Sequence, residues 1–188
     1  VIADRLVSEL AGPARPLLML DVGPALGGLR FVELALFEWL GQAAATLEED
    51  HEAAWASAAS FRAAWRASQL EGLLPVSVGL PNAELATAPS GPLVAGSIAE
   101  LAEGRQPDPV PGVGRQPGAG PARRRPGEVP DVASSWYDTL LAAYRHRLVW
   151  TAPAADGPLE RVLCRLVADL EAERTAVGSV WERPGRDA

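Results

Sequence analysis

Three ionisable side chains fall where apolar periodicity points into a protein interior. Glu33 shares a helical face with Leu29, Leu36 and Leu40, and Glu173 shares one with Leu163, Leu166, Leu170 and Val177. Arg62 lies in a stripe with Trp55, Ala58 and Trp65. A carboxylate taken out of water is costly unless it is paired. Arginine is always ionised, and its planar fork can serve two carboxylates at once. The pattern points to an interior ionic cluster of Glu33, Arg62 and Glu173. The competing expectation leaves all three at the rims of their stripes, with their heads snorkelling to water.

Aromatic residues supply the second constellation. Trp55 and Trp65, with Tyr137 and Tyr144 opposite, would line an apolar pocket between two helix pairs. The plainer account makes them core filling, because tryptophan suits the room left by alanine-rich neighbours. Cys164 sits between Arg161 and Arg165, whose charges would favour its thiolate. A nucleophile also needs a base, and the sequence predicts no His neighbour for it, so the cysteine reads as incidental; His51 and His146 are not placed to reach the middle of a bundle either. No Gly-x-Ser-x-Gly, His-Glu-x-x-His or Cys-x-x-Cys occurs. The glycine-dense window 112–120 follows no strand, which removes a dinucleotide reading.

Composition removes further classes. The 188 residues include 34 Ala, 18 Gly, 17 Pro and 17 Arg, and no Lys. That bias is the habit of a high-GC bacterial genome. The missing lysine excludes Schiff-base chemistry and a phosphate-loop lysine. A net charge of -7 disfavours nucleic acid as a partner. One cysteine fits a reducing, cytoplasmic setting. The apolar run Leu17 to Leu20 is far short of the roughly 20 residues that span a bilayer, so no membrane is expected. The chain starts at Val1 and its one Met is Met19, which implies a non-ATG start or a truncated end.

The elements that must position these residues are helices. A short helix over 2–10 ends at Gly12-Pro13. After a Gly/Pro entry at 23–28, a first long helix should run from about Leu26 to Leu47. The acids Glu48 to Glu52 then open a second, which carries Trp55, Ala58, Ala59, Arg62, Trp65 and Gln69 on one face and stops at Gly72. Residues 92–102 make a short helix. Residues 103–130 hold seven Pro and six Gly and repeat Gly-Arg-Gln-Pro at 104 and 114, so they read as a disordered linker. A third long helix runs from Val132 to near Trp150. The fourth begins at Asp156-Gly157-Pro158, a capping acid followed by a first-turn proline. Only Val76 to Leu80 hints at a strand. The expected fold class is all-α, a four-helix bundle of two hairpins joined by one long crossover. Its segments are 1–22, 23–102, 103–130 and 131–188.

This layout, with the segments RFVELALFEWLG, AAWRASQLEGLLP and DGPLERVLCRLVADLEAER, resembles the ferritin-like family over about 26 to 182. The resemblance implies two iron or manganese ions held by an inward Glu on one helix of each pair and Glu-x-x-His on the other. Glu33 matches the first Glu. The rest departs from the pattern: Ala58 to Arg62 holds neither residue type, Tyr137, Leu140 and Tyr144 face inward without a carboxylate, and Ala172 and Ala176 stand three residues after Asp169 and Glu173. No metal and no cofactor is expected, and Glu33, Asp169 and Glu173 are the nearest approach to ligands. The reading is a non-enzymatic accessory or binding protein whose metal site is lost. One alternative is a diverged di-iron oxidase or hydroxylase, similar to the tRNA-hydroxylase branch. Another is an interaction module acting through the Arg-rich linker. An exposed Trp or Leu stripe would also suit a homodimer.

Overall fold

A computed structural model of the chain describes residues 2–74, 87–103, 128–152 and 156–181. Among them every regular element is a helix: α1 (Ile2–Ala11), α2 (Met19–Ala44), α3 (Asp50–Glu71), α4 (Pro92–Glu103), α5 (Glu128–Val149) and α6 (Gly157–Trp181). The chain is all-α over these residues. No described helix is long and apolar enough to cross a membrane. The strand candidate at 76–80 and residues 104–127 of the expected linker lie outside the described residues.

Two helices begin earlier than expected. In α2 the run Gly23 to Gly28 is helical, Pro24 included. The start is set upstream, where the Asp21 carboxylate accepts the Leu18 N–H at 2.9 Å and pairs with Arg15 at 2.6 Å. Pro24 deprives the Leu20 carbonyl of its intrahelical donor, and Leu20 is exposed. Gly28 is there for close approach: a Cβ would come within 2.3 Å of Ser90 Oγ, just ahead of α4. Helix α5 opens at Glu128 with Pro130 in its first turn, where a missing N–H costs no helical bond. Gly12, at φ +74°, makes the left-handed turn after α1.

Helices α2 and α3 share the most extensive contact and run antiparallel around the turn 45–49. Their register shows in three cross-links: Arg30 to Glu71 at 2.8 Å, Glu33 to Arg66 at 2.9 Å, and Ser60 Oγ to the Phe37 carbonyl at 2.7 Å. Helices α5 and α6 are likewise antiparallel, with Asp138 bonded to Arg174 and Arg145 to Glu171. Helix α3 packs against α6, also antiparallel, since Arg62 meets Glu173 while Arg66 meets Asp169.

The core between these four helices is aliphatic and alanine-rich: Leu29, Val32, Leu36, Leu40, Ala59, Ala63, Leu140, Leu166 and Leu170 are all inaccessible to solvent. Helix α1 is part of the packed body and lies against α5, α4 and α2. From it Glu9 accepts the Val94 N–H at 2.8 Å, so an acid on one helix satisfies a first-turn donor of another.

Just beyond the C-terminal end of α1, Arg147 of α5 is buried completely and donates to the carbonyls of Pro13 and Arg15, fixing the turn that leads into α2. Arg147→Met keeps the packed stem and removes these donors. A loss of about 2 kcal/mol is expected in urea unfolding, with an unchanged m-value.

Candidate functional site

The interior of the four long helices holds one polar centre, and each helix contributes to it. Helix α2 supplies Glu33, α3 supplies Arg66, α5 supplies Tyr137 and Tyr144, and α6 supplies Asp169 and Glu173. Arg66 is 0% exposed, as is Glu33, and Glu173 is 2% exposed. The Arg66 Nε donates to Glu33 Oε1 at 2.9 Å. Its Nη1 donates to Asp169 Oδ2 at 2.7 Å and to Glu173 Oε2 at 2.8 Å. Tyr144 donates its hydroxyl to the same Glu33 Oε1 at 2.7 Å. Arg62, with its side chain 37% exposed, donates Nε to Glu173 Oε1 from the rim.

Arg66, rather than Arg62, therefore stands at the centre. The inward face of α3 is Trp55, Ala56, Ala59, Ser60, Ala63, Arg66, Ala67 and Leu70. Ala58 is exposed, and Arg62, Trp65 and Gln69 are half-buried. The stripe expected through Trp55, Ala58, Arg62 and Trp65 is offset by about one residue from the buried face, because Trp65 lies at the flank. The alanine-rich sequence gives little hydropathy contrast to correct that error, and Arg66 looks like a surface residue on charge alone. One signal was available. Arg66 is four residues beyond Arg62 and three before Gln69, so a stripe through Ala59, Ala63 and Leu70 takes it inward.

Electrostatics follow from the burial. Desolvation pushes the Glu33 carboxyl above the usual carboxylate range, although Arg66 and the Tyr144 hydroxyl pull the other way. Burial alone would lower the Arg66 pKa, but Glu33 and Glu173 outweigh it and hold the guanidinium above its ordinary value. Burial, and then the neighbouring carboxylates, raise both tyrosines, Tyr144 chiefly through Glu33 and Tyr137 chiefly through Glu173. Three polar atoms of the cluster have no hydrogen-bond partner: Glu33 Oε2, Arg66 Nη2 and the Tyr137 hydroxyl.

The four aromatic residues expected to line a pocket are dispersed. Trp55 packs edge-on against Trp181, ring centres 4.8 Å apart. Trp65 is half-buried beside the core, and Tyr137 and Tyr144 are fully enclosed, at the ionic cluster. A concavity of about 330 Å³ lies elsewhere, between α1, α2, α4 and α5, where Trp39, Trp136 and Leu101 meet Ser97, Ser135 and Glu100. A second concavity, at the start of α6, is lined by Arg161, Arg165 and Cys164. None of the four expected residues borders either one. Cys164 is exposed.

The donor set does not fit the pair of metal ions that a ferritin-like kinship implies. Each of the three carboxylates already bonds the Arg66 guanidinium, which occupies the space between them. Alanines stand at 172 and 176. Among the described residues no three His, Cys, Asp or Glu side chains are grouped to hold a metal ion. What the arrangement can do is hold charge out of water, link four helices, and exchange protons.

Removing one partner of a buried ion network leaves the others uncompensated. Arg66→Met is expected to cost about 3–5 kcal/mol of unfolding free energy, since it removes the one guanidinium shared by Glu33, Asp169 and Glu173 and leaves their acceptor oxygens short of a buried donor. Arg62→Met, at the solvated rim, should cost less than about 1 kcal/mol. Chemical denaturation of the two variants side by side tests the assignment of Arg66 to the centre. No family model, curated protein or solved structure matches the chain.

Proposed function

We propose that this chain is a non-enzymatic helical bundle of the ferritin-like kind, an accessory or binding protein in which an ion-pair network stands where that family holds metal. One observation carries the reading: the Arg66 guanidinium bonds Glu33, Asp169 and Glu173. A permanently charged cation on all three carboxylates serves the electrostatic need that a metal would meet, without any open coordination position for a substrate.

Helix directions support the arrangement. Helix α3 is antiparallel to α2 and to α6, and α5 is antiparallel to α6, so α3 and α5 run the same way. The end of α3 and the start of α5 then fall at opposite ends of these helices. A helix of 22 residues such as α3 is roughly 33 Å long, which a short loop cannot cover. These directions support a layout of two hairpins and one crossover. The concavity beside Trp39 and Trp136 supports a binding role, since its volume lies within the usual range for small-molecule sites, about 300–1,000 Å³.

Metal analysis of protein purified from cells supplied with iron and manganese tests the proposal. The expected content is far below one equivalent of either metal per chain. Near-stoichiometric iron or manganese that disappears in Glu173→Gln would overturn it.

A further inference from the structure

We propose that Glu33 is held as a neutral carboxylic acid with its proton on Oε2, which makes the interior cluster a proton-binding site. The inference is independent of the chain's kinship. It begins from an asymmetry within one side chain. Oε1 takes both donations, from Arg66 Nε at 2.9 Å and from the Tyr144 hydroxyl at 2.7 Å, whereas Oε2, equally enclosed, has no partner. An ionised carboxylate in that place would leave half its charge unsolvated. A carboxylic acid costs less there: the carbonyl oxygen accepts twice, and the other oxygen carries hydrogen in place of buried charge. Glu173 offers the contrast, with a guanidinium donor on each oxygen, Arg62 on Oε1 and Arg66 on Oε2.

Charge balance points the same way. The ionisable groups that face Glu33 among the described residues are Arg62 and Arg66 from α3, Tyr137 and Tyr144 from α5, and Asp169 and Glu173 from α6. Both tyrosines are neutral, since burial raises them. Fully ionised, the network sets three carboxylates against two guanidiniums and leaves one negative charge in excess. An unbalanced charge in the interior is strongly disfavoured, and taking up a proton is the usual remedy. Asp169 has a side chain 24% exposed, so water shares its charge, and Glu173 has two cationic donors. Glu33 is the fully enclosed member with only one, and desolvation raises its affinity for a proton.

The native chain then binds this proton more tightly than the unfolded chain does. Stability is unimpaired below the unfolded glutamate pKa of about 4.3 and falls as pH rises from there through the raised pKa of Glu33. Glu33→Gln keeps the carbonyl acceptor and is neutral at every pH. Its melting temperature is expected to match or exceed that of the unaltered protein at about pH 8, with the advantage shrinking toward about pH 5. A variant that loses more stability at the higher pH, as when an ion pair is broken, would overturn the proposal. A second measurement needs no variant. Infrared spectra of the unaltered protein at neutral pH should contain the carbonyl band of a protonated carboxyl shielded from exchange, and its absence would equally overturn the assignment.

Discussion

A desolvated guanidinium is the constraint around which the rest of this fold is arranged. Arg66 has no route to solvent, so its charge has to be met by neighbours from other helices: Asp169 and Glu173 of α6 pair with it, and Glu33 of α2 accepts its Nε–H. Tyr144 of α5 joins through Glu33. Each of the four long helices is thereby tied to the same cluster. Coulomb attraction in the interior is large, but so is the cost of stripping water from each ion. The network is therefore better regarded as specifying which helices meet, and in what register, than as a net source of stability.

Register needs such specification here because the surrounding core is weakly featured. Helix α3 presents Ala56, Ala59, Ala63 and Ala67 inward. Small, uniform side chains let helices approach closely but leave sliding by a turn inexpensive. Slippage by one turn would carry Arg66 away from Glu33 and bury both without partners. Two other links between α2 and α3 have the opposite character. Arg30 with Glu71 and Ser60 with Phe37 are partly solvated, and they trim the register that the buried network sets.

The fold class and the limits of α3, α4 and α6 were legible in the sequence, because capping acids, a first-turn proline and stopping glycines bracket periodic runs. The inward faces of α2, α5 and α6 were legible as well: Leu29, Val32, Leu36 and Leu40, Tyr137, Leu140 and Tyr144, and Leu163, Leu166, Leu170 and Glu173 are all buried. Three features were not. The start of α2 is hidden because glycine and proline normally interrupt a helix, and only the Asp21 cap and the tertiary use of Gly28 against Ser90 outweigh that tendency. The phase of α3 is blurred by alanines on every side. Arg66 is hidden for a deeper reason, since a buried cation is recognisable only from carboxylates that lie far away in the chain.

Helix α2 shows how local and distant terms combine. It is apolar nearly all round, with Asp21, Arg30, Glu33, Glu38 and Gln42 as its polar residues over 26 positions. A helix of that kind demands cover on several sides, and α3, α1 and α4 pack on it. Those added helices then need anchors of their own, and the anchors are again ionic groups turned on backbone: Glu9 of α1 takes the Val94 N–H of α4, and Arg147 of α5 holds the Pro13 and Arg15 carbonyls. The same device therefore works at two levels. Inside, charge meets charge and fixes the register of four helices; at the edge, charge meets unpaired backbone and fixes the two short helices that cover α2. Glu33 belongs to the inner level, as the one acid facing inward from an otherwise apolar helix. Its protonation state consequently bears on how tightly the most enclosed helix of the fold is held.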